Sequence, residues 1–314
     1  MALQALLRRA GCEVHYRSLN AALGLSFMTS VRDPGRCLAS WMAEGRDALL
    51  GRTAPRFGIR LRELHPPDAA AGLEDAPEFA QHFEASYKPL IKRMLEHDQP
   101  VLVSGGWPGK SSGQWGIIAS VCDEGIGLSG TTLGSGSELV PLAAPPVQAY
   151  VVEEVAPHVP SDDELFRLVV CNACVVVQNR TDPRFGTTTG PGVYDSWLER
   201  LRHKHVCATC RGRGAGCHKR TASAVTLARE SAVEFLSHHR DALSGPPRHN
   251  VDKLIAECKG VIQALGLSCD LSAVQQLLES EDGRAKLARD VELAHTHETA
   301  IRDYLGQLSE MLEK

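Results

Sequence analysis

The sequence predicts an α+β fold, because the hydrophobic pattern changes twice along its 314 residues. Apolar residues recur every three or four positions, as in amphipathic helices, up to about residue 99 and again from Asp162 to the end. Between these parts, short runs of branched and aromatic residues are bounded by Gly, Pro or Asp, which is typical of antiparallel strands. We therefore expect helices, then a small antiparallel sheet, then an all-helical part.

Three helices are predicted ahead of the sheet. They cover residues 15–24, 37–58 and 78–99. Gly24 ends the first of them, in the position that glycine commonly takes after a helix. Pro89 lies inside the third, where the missing backbone N–H predicts a bend.

Five strands are predicted next. They cover residues 100–105, 114–122, 125–130, 138–142 and 148–155. Asp123-Glu124-Gly125 has the composition of a hairpin turn, so we expect consecutive strands to pair in an antiparallel meander.

The change of pattern also predicts two domains. Residues 1–156 form the α+β domain, and residues 157–314 form a helical domain with a Cys/His-rich loop at 203–220. The last helices, at 251–266 and 271–312, have charged faces between apolar ones. We expect them to pack against the sheet domain or to contact a protein partner or a second copy of the chain.

Composition excludes several classes of protein. The net charge is −4, which gives no general affinity for nucleic acid or for an anionic membrane. No apolar run is long enough to span a bilayer, and the arginines near the start follow the short apolar stretch, the wrong order for a signal peptide. Several of the ten cysteines lie in apolar runs, as reduced cysteines do. We expect a cytoplasmic protein without membrane partners.

The stretch SGGWPGKSS, residues 104–112, is close to a phosphate-binding loop. Such a loop has Gly in the position of Ser104, and a helix must follow its Gly-Lys-Ser to hold the phosphate. Here a strand-like segment beginning at Gln114 follows instead. The stretch therefore indicates a glycine-rich loop between two strands, and we expect no nucleotide.

This loop belongs to a longer series of segments that resembles a known family. Gly11-Cys12 before a helical run, the strand at 100–104, the strand opening with Gln114-Trp115 and the turn at Asp123 resemble the papain-like fold of the peptidase C39-like and butirosin biosynthesis protein H N-terminal type. The resemblance implies an antiparallel half-barrel packed on a helix. It also implies a nucleophile at Cys12, at the start of that helix, and a histidine where Gln114 or Trp115 stands.

Gln114 cannot accept a proton, so the first functional hypothesis is a divergent, non-catalytic relative that binds a peptide or acyl-amide ligand. The amide of Gln114 and the indoles of Trp107 and Trp115 are the candidate ligand contacts. Of the two indoles, Trp107 is the stronger ligand candidate and Trp115 the stronger core candidate. The alternative is an active cysteine acyltransferase or amide hydrolase that uses Cys12 with an unidentified base.

A third hypothesis rests on the Cys/His-rich loop. Cys207-x-x-Cys210 and Cys217-His218 have the ligand types and the glycine-rich surroundings of a structural zinc site. A solvated basic loop without metal is the competing interpretation. With zinc, the chain would be a zinc-stabilised protein-interaction module. His295 and His297 lie two positions apart on a predicted helix, which places them on different faces and makes them poor joint metal ligands.

Overall fold

The computed structural model describes residues 2–9, 11–32, 48–64, 77–111, 114–132, 134–156, 158–182, 187–202 and 214–313. These residues form helices and antiparallel strands, which confirms the α+β class. The chain divides into two compact units. Met1–Tyr16 and Gly51–Val159 form the sheet unit, and Arg17–Leu50 and Pro160–Lys314 form the helical unit. Residues 17–50, assigned to the α+β domain from sequence, thus group with the helices.

The described α-helices are α1 (Ala2–Arg9), α2 (Tyr16–Ala22), α3 (Ala48–Thr53), α4 (Pro77–His82), α5 (Lys88–Glu96), α6 (Asp162–Val176), α7 (Val193–Arg202), α8 (Gly214–Arg240), α9 (Gly245–Leu265), α10 (Leu271–Glu279) and α11 (Glu281–Leu312). The described strands are β1 (Ser30–Arg32), β2 (Ile59–Glu63), β3 (Val101–Ser104), β4 (Trp115–Val121), β5 (Leu128–Thr132), β6 (Val140–Pro141), β7 (Gln148–Val155), β8 (Arg180–Asp182) and β9 (Thr187–Thr189). None of these helices combines the length and apolar character that a membrane span requires.

The sheet unit contains a six-stranded antiparallel sheet in the order β2-β7-β3-β4-β5-β6. All five predicted strands are present, and β3 to β6 follow one another as the predicted meander. The fifth strand, β7, departs from the prediction, because it pairs with β3 and not with β6. β2 was not predicted. It pairs with β7, and Arg60 and Arg62 form ion pairs with Glu153 across the two strands.

Helices α4 and α5 cover one face of this sheet. Phe83 and Ile91 are fully buried there against Val101, Val103 and Ile118. A π-helical turn, Phe83–Tyr87, joins the two helices. Pro89 lies in the first turn of α5 and has no backbone N–H to donate to the preceding turn, so the helix predicted over residues 78–99 is interrupted here.

The helical unit is built around the two long helices α8 and α11. α6 begins with a capping box in which Ser161 and Glu164 each accept a hydrogen bond from the other's backbone N–H. β1, β9 and β8 form a three-stranded antiparallel sheet in that order. The prediction of an all-helical part is therefore corrected, because β8 and β9 lie within it. Each has three residues, too few for a strand pattern to be recognised in the sequence.

Candidate functional site

The glycine-rich loop connects β3 to β4 at one end of the sheet. Gly105 and Gly106 have φ angles of 80° and 81°, in the left-handed region that favours glycine. A Cβ on Gly106 would collide with the carbonyl oxygen of Ala144, and the backbone N–H of Ala143 donates to the Gly106 carbonyl at 2.8 Å. The loop backbone is therefore fixed against residues 143–146, and β4, not a helix, follows it.

Three side-chain oxygens lie around Gly134 at this end of the sheet, where the glycine has no side chain. An ideal Cβ built on Gly134 would lie 3.2 Å from Ser111 Oγ and 3.8 Å from both Gln114 Oε1 and Thr132 Oγ1. Thr132 Oγ1 accepts a hydrogen bond from the Gly134 N–H at 3.2 Å. Gln114 Oε1 is buried and has no hydrogen-bond partner within the described ranges. Ser111, Gln114, Thr132 and Gly134 are termed the oxygen niche. All three oxygens of the niche can accept hydrogen bonds, and its two hydroxyls can also donate.

The indole of Trp107 lies on the same face of the sheet as the niche. A Cβ on Gly116 would overlap this indole, and Gly116 pairs with Thr132 between β4 and β5. Trp107 is 2% exposed and belongs to the core, whereas Trp115 is half-buried with its ring 6.1 Å from that of Tyr150. The burial of the two indoles is thus the reverse of what the sequence suggested. The Nε1 donor of Trp107 is buried without a partner in the part of the chain that the structure describes.

Gln148 was not singled out from the sequence. It begins β7 and is 1% exposed, and neither its amide nitrogen nor its amide oxygen has a partner among the described residues. It pairs in register with Ser104, which in turn pairs with Trp115, so these three share the face opposite the niche. The only indication in the sequence was a polar amide residue directly before the segment AYVV.

Cys12 does not begin a helix. It follows α1, where Gly11, with a φ of 80°, donates to the Arg8 carbonyl and the Cys12 N–H donates to the Leu7 carbonyl at 2.9 Å. These two bonds form a Schellman motif, which ends a helix. Cys12 is 2% exposed, and its thiol donates to the backbone carbonyl of His158 at 3.6 Å.

This position disfavours a thiolate at Cys12. Burial raises the pKa of the Cys12 thiol above its ordinary value. The carbonyl groups at a helix C-terminus add a negative partial charge, which also opposes an anion. The helix that the resemblance places directly after the nucleophile begins only at Tyr16. These observations weigh against a nucleophilic role for Cys12.

We expect iodoacetamide to label Cys12 slowly, with a pH midpoint above that of an ordinary thiol, because only the thiolate reacts and burial opposes it. Mass spectrometry of tryptic peptides over a range of pH measures this rate. Cys171, which is exposed on α6, is the internal control and should react first. Rapid labelling of Cys12 with a lowered midpoint would show an activated thiolate and contradict the prediction.

The predicted zinc ligands fall into two groups. Cys207 and Cys210 lie outside the described residues. Cys217 and His218 are buried on α8, and the described ranges contain no group of three or more potential metal ligands. Trp197 Nε1 donates to His218 Nδ1 at 3.0 Å, and His218 Nε2 lies 2.9 Å from Ser268 Oγ. Both ring nitrogens are thus occupied, so a metal could use His218 only after breaking one of these bonds. The zinc site stays a prediction.

No protein-family model matches the chain, and no curated protein matches it. The chemistry of the site therefore carries the functional argument.

Proposed function

We propose that the sheet unit is a non-catalytic binding module that recognises an amide group of a peptide or acyl-amide ligand at the oxygen niche. The observation that carries this proposal is the buried, unpaired Oε1 of Gln114 beside the bare Cα of Gly134. A buried acceptor without a donor costs about 1–3 kcal/mol, so a ligand N–H placed there would gain a hydrogen bond and remove this cost.

The polarity of the site favours an amide over other ligand groups. A carboxylate or phosphate carries no N–H for Gln114 Oε1, which can only accept, so an anion would leave this buried oxygen unpaired. An amide carries an N–H for Gln114 and a carbonyl that can accept from the unpaired Nε1 of Trp107 on the same sheet face. In an amide the complementary donor and acceptor lie close together in one functional group.

Two further points support a binding role within a papain-like fold. The consecutive antiparallel strands β3, β4 and β5 have the order that the resemblance implies. At the start of β4, Gln114 stands in place of a base, and its side chain offers hydrogen bonds without taking up a proton. Cys12 is buried at the end of α1, so Cys12 and Gln114 do not form a nucleophile–base pair.

The test adds N-acetylalanine methylamide, a model of a single peptide unit, to isotopically labelled protein. We expect saturable shifts of the Gln114 side-chain amide and Trp107 indole resonances in NMR spectra. Gly134→Ala places a methyl group among the three oxygens without a close contact to backbone, so it should abolish the shifts and keep the fold. Gln114→Leu should do the same by removing the acceptor.

The matched control is Gly51→Ala, a second glycine-to-alanine change in the sheet unit, where a Cβ would have no neighbour within 4 Å. It should bind the probe like the unmodified protein. Equal binding by Gly134→Ala, or stronger shifts with sodium acetate than with the amide, would refute the proposal.

A further inference from the structure

A cleft lies in the helical unit, between α9 and α11. Its volume is about 390 Å³, within the range of small-molecule sites. Its polar lining comes from Lys286, Asp290, His297 and Gln263, and its apolar lining comes from Ala264, Leu267 and Leu293. None of these residues is part of the oxygen niche, so the cleft does not depend on the function proposed above.

The imidazole of His297 is held in one orientation. Its Nδ1–H donates to Glu257 Oε2 at 2.6 Å, because a carboxylate can only accept. In the neutral ring this bond leaves Nε2 as an acceptor, and Nε2 has no hydrogen bond within the described ranges. The ring lies against the backbone of Gly260, where a Cβ would come within 2.5–2.6 Å of the ring atoms. Glycine at this position allows the imidazole to pack between the helices and line the cleft.

The charges of the cleft favour a cation. Asp290 is half-buried and forms no ion pair among the described residues, although Lys286 is one helical turn away. Burial raises the pKa of Asp290, and Lys286 and Arg289 oppose this in part. The Asp290 carboxylate is half-buried, whereas the ammonium of Lys286 is exposed, so water and salt screen the charge of Lys286 more strongly. An anion would meet the half-buried carboxylate of Asp290, whereas a cation would form the ion pair that Asp290 lacks among the described residues.

The apolar lining of the cleft indicates that the part of the ligand beyond its cationic group is a hydrocarbon chain. Leu293 is half exposed, which is unfavourable for a large apolar side chain and makes it available for contact. Together with Leu267 and Ala264 it forms a wall beside Asp290. A short hydrocarbon chain lying against this wall would be removed from water.

We propose that this cleft binds a small primary amine with an apolar tail, whose ammonium pairs with Asp290 and donates a second hydrogen bond to His297 Nε2. The tail lies against Leu267 and Leu293. Glu257 acts as a positioning residue, because it fixes the tautomer and the orientation of the His297 ring without contacting the ligand.

The test titrates the full chain with butylammonium chloride, using sodium butyrate and 1-butanol as probes of equal chain length. Calorimetry gives the affinity, and NMR shifts of the His297 ring locate the binding. We expect saturable binding of butylammonium and weaker binding of both other probes. Asp290→Asn should lower the affinity for butylammonium about tenfold or more, because the negative charge of the hydrogen-bonded ion pair is lost.

The matched control is Asp303→Asn, the same change on α11 at an exposed aspartate paired with Arg302, which should leave the affinity unchanged. Glu257→Leu should weaken binding more than Glu257→Gln, since glutamine still accepts from His297 Nδ1–H. The proposal is overturned if butyrate binds as tightly as butylammonium, if no probe shifts the His297 ring, or if Asp290→Asn binds like the unmodified protein.

Discussion

Replacing Glu298 with glutamine is expected to lower the free energy of unfolding by about 3–5 kcal/mol, the usual cost of removing one partner of a buried ion pair. Arg229 and Glu298 are 0% and 1% exposed. Their two hydrogen bonds are parallel, from Nε to Oε1 at 2.8 Å and from the terminal nitrogen to Oε2 at 2.6 Å. With glutamine at 298, the guanidinium charge stays in the core without a counter-charge.

A large effect is expected because the Arg229–Glu298 pair makes hydrogen bonds to several other elements of the helical unit. The Arg229 guanidinium also donates to the Ser26 carbonyl at 2.8 Å and to Thr29 Oγ1 at 3.1 Å, in the segment after α2. Tyr194 on α7 donates to Glu298 Oε1 at 3.3 Å. Burial alone would lower the pKa of Arg229, but Glu298 raises it above the ordinary value, so the pair is charged. One ion pair thus connects α7, α8, α11 and the segment after α2.

Urea unfolding followed by circular dichroism measures the change. Asp303→Asn, which removes an exposed carboxylate from the same helix, is the control and should cost less than about 1 kcal/mol. Arg229→Met combined with Glu298→Leu should be less destabilised than the sum of the two single variants, because each single change leaves a buried charge. A loss below about 1 kcal/mol in Glu298→Gln would show that the pair is not what holds these elements together.

Apart from β6, which has two residues, the elements that the sequence predicted have hydrophobic patterns that extend over several residues. The helix at 78–99 and the strands at 114–122 and 148–155 contain enough residues for their patterns to be recognised. β1, β8 and β9 have three residues each, and β2 follows a 3₁₀ turn, so tertiary pairing decides their structure. The end of α1 was readable, because glycine at position 11 after an amphipathic run is a typical helix stop. The prediction instead followed the family resemblance and placed a helix start at Cys12.

The sites show the same division between local and long-range information. Gln114 was identified from its position at a strand start, but its neighbours Thr132 and Gly134 depend on the pairing of β4 with β5. Which tryptophan is buried depends on Gly116, since only a glycine there admits the indole of Trp107. In the sequence, His297 was considered only as a joint metal ligand with His295. Its hydrogen-bond partner Glu257 is 40 positions away on α9. No local pattern specifies such pairs.

The protonation of His218 alone is expected to lower the free energy of unfolding by about 3 kcal/mol as the pH drops from 6.5 to 4. Burial lowers the pKa of His218 from 6.5 to about 4. In this window the unfolded chain binds a proton that the folded protein does not, so acid favours unfolding. The contribution is fully present above pH 6.5 and is lost as the pH falls towards 4.

The neutral ring is required because its neighbours fix its tautomer. Trp197 Nε1 can only donate, so His218 Nδ1 accepts and Nε2 carries the proton that faces Ser268 Oγ. A second proton would have to enter Nδ1 and break the bond to Trp197. His218→Gln can keep both bonds, with its oxygen towards Trp197 and its nitrogen towards Ser268, and it cannot become charged.

Urea unfolding at several pH values between 4 and 7 distinguishes the two proteins. We expect His218→Gln to lose about 3 kcal/mol less than the unmodified chain across this window. Burial also lowers the pKa of His239, so part of the acid sensitivity should persist in the variant. His249→Gln removes an exposed imidazole from α9 and should behave like the unmodified protein. Equal losses of unfolding free energy in His218→Gln and in the unmodified chain would contradict the prediction. They would show that His218 is not kept neutral in the core by the hydrogen bond from Trp197.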